Sequence, residues 1–178
     1  MNRRYFIESF VMFGVAATTL SPPTLCTSFA QKKETTKARV PLNKVIKSDE
    51  EWKRILTSDQ YFITRQAGTE APYSSPLLNI HNSGTFECVC CDLPLFSSKT
   101  KFESGTGWPS FWAPIDKRNV LERTDHTLSE TRTEVLCARC DAHLGHVFDD
   151  GPMPTGLRYC MNGVALKFTH ESRVPVVE

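Results

Sequence analysis

The 178-residue sequence has no surplus of either charge: 21 lysines and arginines stand against 20 aspartates and glutamates, a formal net charge of +1. Nonspecific nucleic-acid binding draws on a positive surplus, so the balance argues against that class. No segment repeats at the spacing of solenoids or propellers, and no low-complexity tract occurs beyond the N-terminal leader. No long hydrophobic run is present either: the most apolar stretch, Phe10 to Leu20, falls well short of the roughly 20 residues a membrane span needs. What remains is ordinary, with 40% hydrophobic and 23% charged residues, enough for one domain with a core. Cysteine is the exception. Seven are too few for a disulfide scaffold of this size and too many for chance packing, so metal or redox chemistry is indicated.

The first thirty residues have the layout of an export signal. Arg3 and Arg4 precede Tyr5-Phe6-Ile7, no charge occurs from Ser9 to Gln31, and small residues cluster at Ser28-Phe29-Ala30. Asn2 to Ile7 resembles the twin-arginine pattern R-R-x-F-[LI]. The expectation is a leader over 1–30 that is cleaved and directs the chain to the periplasm, with an uncleaved membrane anchor as the alternative. Cys26 sits in a poor lipid-attachment context and leaves with the leader. Residues 31–41 read as a flexible linker, 42–170 as the domain, and 171–178 as a tail.

Within the domain, Ser48 and Glu51 have capping-box spacing and predict a helix over 49–56 with Trp52, Ile55 and Leu56 inward. Thr57 or Ser58 can cap a second helix running through Arg65 and ended by Gly68. Residues 71–83 read as a loop. From Gly84 the pattern changes to short strands: 85–89, 94–97, 118–123, 131–136, 143–148 and 157–168. The domain is therefore expected to be mainly β and antiparallel, with short N-terminal helices.

Two C-x-x-C knuckles, Cys88 with Cys91 and Cys137 with Cys140, have the spacing that lets paired thiolates reach one metal at about 2.3 Å. Together they predict a tetrahedral four-sulfur zinc site, one ion per chain, closed to catalysis and coupled to folding. Cys90 breaks the spacing and is left out. Disulfides within the pairs, or a redox-active C-x-x-C, are the competing readings.

Chemistry is then sought elsewhere. In Leu157-Arg158-Tyr159-Cys160-Met161-Asn162, strand alternation puts Arg158, Cys160 and Asn162 on one face. Arg158 would favour the Cys160 thiolate, the nucleophilic form, although a buried core cysteine fits the strand equally well. His143 and His146 fall on opposite faces of a regular strand, and a bulge at Gly145 would bring them together as proton donors. Each taken alone also fits a structural histidine. Ser104 to Trp112 is a glycine-flanked aromatic loop whose Trp108 could receive a methyl or thioether group. At least one of Trp108, Phe111 and Trp112 is expected in the core.

Taken in order, C-x-x-C, G-T-G-W-P-S-F, C-A-R-C-D-A-H-L-G-H-V-F-D-D-G-P and R-Y-C-M-N resemble the B-type peptide-methionine (R)-S-oxide reductases over roughly residues 43–168. The resemblance implies two antiparallel sheets with peripheral helices and zinc on Cys88, Cys91, Cys137 and Cys140. It implies Cys160 as nucleophile, Trp108 as the wall for the substrate methyl group, and His143, His146 and Asn162 as groups handling the sulfoxide oxygen. Phe148 and Arg158 complete the expected substrate contacts. The implied reaction is thiol-dependent protein repair after oxidative stress, on oxidised proteins or peptides carrying the R-sulfoxide, by a monomer. One departure matters. Many members carry a resolving cysteine where this chain has Thr106, so an external thioredoxin-like thiol is expected to reduce the sulfenic acid, with Cys90 as the minority resolver. The rival reading is a zinc-stabilised β binding module without catalysis.

Overall fold

The computed structural model describes residues 42–171, and the expectations for the leader 1–30, Cys26, the linker and the tail beyond 171 lie outside the described residues. Helix α1 spans Asp49–Ile55 and α2 spans Ser58–Gln66. Both begin with reciprocal capping boxes. The Ser48 hydroxyl accepts from the Glu51 N–H at 3.2 Å while the Glu51 carboxylate accepts from the Ser48 N–H at 2.7 Å, and Thr57 and Gln60 repeat the arrangement. Each box satisfies N–H groups that a helix start otherwise leaves unpaired. Two expectations change. Helix α2 ends on Ala67 in the left-handed region (φ 53°), one residue before Gly68. Trp52, 2% exposed, and Leu56 pack on the core as expected, but Ile55 is 56% exposed. The Arg65 guanidinium covers the Trp52 ring at 4.8 Å.

Among the described residues nine strands follow: β1 Gly84–Cys88, β2 Pro94–Ser97, β3 Lys101–Phe102, β4 Ser110–Phe111, β5 Val120–Asp125, β6 Arg132–Cys137, β7 His143–Phe148, β8 Arg158–Met161 and β9 Leu166–His170. They form two antiparallel sheets, β2-β1-β9 and β3-β4-β8-β7-β6-β5. The sequence pattern joins 157–168 into one strand. The structure divides it: β8 belongs to the large sheet, β9 to the small one, and a tight turn at Gly163–Ala165 carries the chain across. Strands β3 and β4 are two residues each, too short to show an alternation.

The core lies between the sheets and is largely aromatic. Phe86 and Phe96 of the small sheet meet Phe111 of the large sheet at ring-centroid distances of 4.9 and 4.5 Å, and Phe96 reaches Tyr159 at 5.7 Å. Phe86, Phe96 and Phe111 have no exposed surface, and each such burial stabilises the fold by about 1.5–3 kcal/mol. Phe111 is thus the member of the aromatic loop that serves the core.

Strand β7 carries a bulge. Val135 pairs with Gly145 and Leu136 with His143, leaving Leu144 as the extra residue. Beyond the bulge, His146 pairs directly with Cys160 of β8. Gly145 makes this approach possible: a Cβ there would lie 2.2 Å from the Cys160 carbonyl oxygen, at a backbone φ of 154°. Because backbone atoms give way only at high cost, Gly145→Ala should destabilise the fold by about 3 kcal/mol or more. A thermal melt checks this, and an unchanged Tm would contradict the packing described.

Candidate active site

Cys160 lies half-buried near the end of β8 on the wall of a cavity of about 120 Å³, which Thr69, Trp108, Arg132, His146, Phe148 and Asn162 also line. Burial pushes the Cys160 thiol above its ordinary range, opposed by the Thr106 hydroxyl and by Arg158. The Thr106 Oγ1 is 3.8 Å from Cys160 Sγ. Arg158 is held by the Asp150 carboxylate, to which its Nε and Nη2 donate at 2.8 Å each, and it covers the Phe148 ring at 4.3 Å. It acts on the thiol through its charge and does not line the cavity.

The two histidines each have one nitrogen tied to a carboxylate. His146 Nε2 meets Asp125 Oδ2 at 2.8 Å. Asp125 also accepts from the Thr127 hydroxyl and N–H, at 2.7 and 2.9 Å, and from Arg132 at 2.7 Å. These bonds, those from Thr127 foremost, hold its carboxyl well below the usual range. Asp125 is therefore a carboxylate, Nε2 carries the proton that it accepts, and Nδ1 is the free nitrogen of His146. His143 Nδ1 meets Glu134 Oε1 at 2.7 Å, and the other Glu134 oxygen accepts from Arg123 at 2.7 Å. Burial pushes His143 below its ordinary range, against the pull of Glu134. It is a neutral imidazole that donates from Nδ1 and leaves Nε2 as an acceptor, with no partner among the described residues. The bulge brings the two rings to 5.5 Å between centroids. Only His146 borders the thiol cavity; both histidines face an adjoining cavity of about 350 Å³.

Asn162 and Trp108 are fixed by the same residue. Asn162 Oδ1 accepts from the Glu70 N–H at 3.0 Å, and its Nδ2 donates to the Leu144 carbonyl at 3.2 Å. One Asn162 N–H is left, so this amide offers the cavity a donor. The Trp108 Nε1–H donates to the Glu70 carbonyl at 3.2 Å, which commits its polar edge and leaves the apolar ring as a wall.

The four expected metal ligands come together. The sulfur atoms of Cys88, Cys91, Cys137 and Cys140 all lie within 4.8 Å of one another. Cys88 is 3.6 Å from Cys140, and Cys91 is 3.5 Å from Cys137. A tetrahedron of sulfurs about 2.3 Å from its centre has edges of about 3.8 Å, so the donor set fits a metal ion. The two knuckles are the same turn. In each, the first cysteine N–H donates to the carbonyl five residues on (Leu93, Ala142), and an aspartate N–H returns to the first cysteine carbonyl at 2.9 Å (Asp92, Asp141). Both aspartates take positive φ, 61° and 57°, which aspartate tolerates well. Cys90 stands outside this set, half-buried within the first knuckle.

Sequence reading misses Asp125, Arg132, Glu134, Thr69 and Glu70. The first three occupy the β5–β6 hairpin, where alternating charges look like a solvated face. The repeated aspartate after each knuckle was the available sign of matched turns.

A half-buried thiol between an indole and a carboxylate-held imidazole, on a two-sheet β fold braced by a separate four-cysteine cluster, is the arrangement of a cysteine-dependent enzyme. The SelR domain matches residues 56–170 of the chain. The chain is 54% identical over 127 residues to peptide methionine sulfoxide reductase MsrB of Hahella chejuensis, covering 71% of this chain and 91% of that protein. It is 53% identical over 129 residues to the Methanosarcina mazei protein of the same name (72% and 92%). It is 57% identical over 120 residues to chloroplastic peptide methionine sulfoxide reductase B1 of Oryza sativa (67% and 56%). The chain belongs to the SelR family, the B-type peptide methionine sulfoxide reductases.

The burial of Cys160 has a measurable consequence. Its alkylation by iodoacetamide, followed on the Cys160 peptide by mass spectrometry, should titrate above the ordinary thiol range, because desolvation disfavours the thiolate. Arg158→Met, which removes a charge that stabilises the thiolate, should move the midpoint higher still. A wild-type midpoint below the ordinary range, or a downward shift in the variant, would contradict this environment.

Proposed function

We propose that the chain reduces methionine R-sulfoxide, free or in peptides, by nucleophilic attack of Cys160 on the sulfoxide sulfur. The observation that carries this reading is the pairing of His146 with Cys160 across β7 and β8, in a cavity whose walls include the Trp108 ring and the Asn162 amide. The sulfoxide sulfur is a poor electrophile while its oxygen carries negative charge. A proton delivered there makes attack feasible, and the fitting donor is the His146 imidazole, which borders the thiol cavity. The free Asn162 N–H is a second donor for that oxygen. The apolar ring of Trp108, with Phe148, suits the methyl and thioether part, and fixing oxygen and methyl on different walls selects one epimer. His143, whose ring centroid lies 5.5 Å from that of His146, packs beside this donor without bordering the thiol cavity.

The electrons balance on sulfur. Methionine leaves reduced by two electrons, the oxygen passes to Cys160, and Cys160 becomes a sulfenic acid. A first external thiol attacks that sulfur and releases water, and a second releases the disulfide and restores Cys160. Thr106 cannot form a disulfide, and Cys90 is held within the metal knuckle, which favours a thioredoxin-like reductant. In the cluster, zinc on Cys88, Cys91, Cys137 and Cys140 suits four thiolates and leaves no coordination position for substrate, so its part is to brace the fold. Reading residues 1–30 as a twin-arginine-like leader places this repair in the periplasm.

With a dithiol reductant, the wild type should convert the R epimer and spare the S epimer. Cys160→Ser should lose at least about 10³-fold of the activity while keeping its metal and its fold. Activity retained in that variant would exclude the mechanism. The metal-bound protein should contain one zinc per chain. Stripping the ion should cause cooperative loss of structure, since binding to such a site contributes on the order of 10 kcal/mol. A metal-free chain with the same Tm would remove zinc from the account.

A further inference from the structure

Four hydrogen bonds converge on Glu70, a residue with 9% of its surface exposed. Its main chain holds two walls of the thiol cavity: the N–H donates to Asn162 Oδ1 at 3.0 Å and the carbonyl accepts from Trp108 Nε1 at 3.2 Å. Its carboxylate holds the crossing between the sheets: Oε1 accepts from the Gly163 N–H at 2.6 Å and Oε2 from the Val164 N–H at 2.9 Å. These two N–H groups directly follow Asn162, at the point where the chain leaves β8, so one side chain fixes the exit from the strand that carries Cys160. Gly163 admits this approach: a Cβ there would fall 1.9 Å from the Ser75 hydroxyl and 3.4 Å from Glu70 Oε1.

Packing alone does not hold this wall. The outer side of Glu70 borders a cavity of about 270 Å³, shared with Asp59, Phe62, Thr69, Ser74 and Val164. The segment therefore has room to move outward, and the hydrogen bonds oppose that motion.

We propose that Glu70 is a positioning residue for sulfoxide reduction: it sets the separation of Trp108 and Asn162 across Cys160 without touching the substrate. The inference rests on the functional reading above. Both groups fixed by Glu70 face the sulfoxide and neither is needed by a small electrophile at the thiol, so the two reactions of Cys160 separate under mutation. Misplacement by about 1 Å can cost up to 100-fold in a reaction that depends on orientation.

The test uses the full chain with its metal and two variants. Glu70→Gln keeps the size but turns an N–H₂ toward an N–H donor. Glu70→Asp keeps the charge, shortens the reach, and serves if the glutamine variant fails to fold. Each variant is assayed for KM and kcat on the R-sulfoxide, for iodoacetamide alkylation of Cys160 at fixed pH, and for Tm. We expect KM to rise about 10-fold or more, with loss of preference for the R epimer, while the alkylation rate stays within about two-fold of the wild type. Unchanged sulfoxide kinetics would overturn the proposal. So would a loss in which KM is constant and activity follows the fraction of unfolded chain, since that is the mark of a structural role. A wild type inactive on the R-sulfoxide would instead refute the functional reading, and this inference with it.

Discussion

The pairing of β7 with its two neighbours, bulged against β6 and regular against β8, is the constraint on which the site depends. One extra residue, Leu144, turns the strand so that His143 and His146 approach each other, and the same bulge sets Gly145 against the Cys160 backbone. A bulge costs regular pairing and re-aims side chains, and such features recur beside active sites. Without it, alternation would send one imidazole to the far face of the sheet, away from its carboxylate. Asp125 and Glu134 lie on those neighbouring strands and reach the two rings because the bulge presents them there.

The fold divides its labour between two sets of cysteines. Cys88, Cys91, Cys137 and Cys140 join the end of β1 to the end of β6, tying the small sheet to the large one. That cluster shares no residue with the lining of the thiol cavity. Electrostatics keep Cys160 in the complementary condition: burial favours the thiol at rest, while Thr106 and Arg158 temper that cost.

Much of this was legible in the sequence. Local signals sufficed for the helices, since the boxes Ser48/Glu51 and Thr57/Gln60 act within one turn. The knuckles were readable because metal ligation demands a fixed spacing. Cys160, Trp108, His146 and Asn162 could be named from motifs, and the fold brings them to one cavity. The split of 157–168 into two sheets escaped, because it is decided by long-range bonds from Glu70 to Gly163 and Val164. The carboxylates behind the histidines escaped for a related reason: Asp125 and Glu134 sit on a charged hairpin and acquire meaning only through cross-strand pairing. Ile55 fails as an inward residue because Trp52 and the C-capping Leu56 take the core side of this seven-residue helix.

The most direct measurement is a single turnover of reduced enzyme with an excess of racemic N-acetylmethionine sulfoxide and no external thiol, with Cys160 trapped by dimedone. The expected result is one methionine product per chain, drawn from the R epimer, with a dimedone adduct on Cys160 in equal yield. Consumption of the S epimer, or methionine formed without an oxidised Cys160, would contradict it.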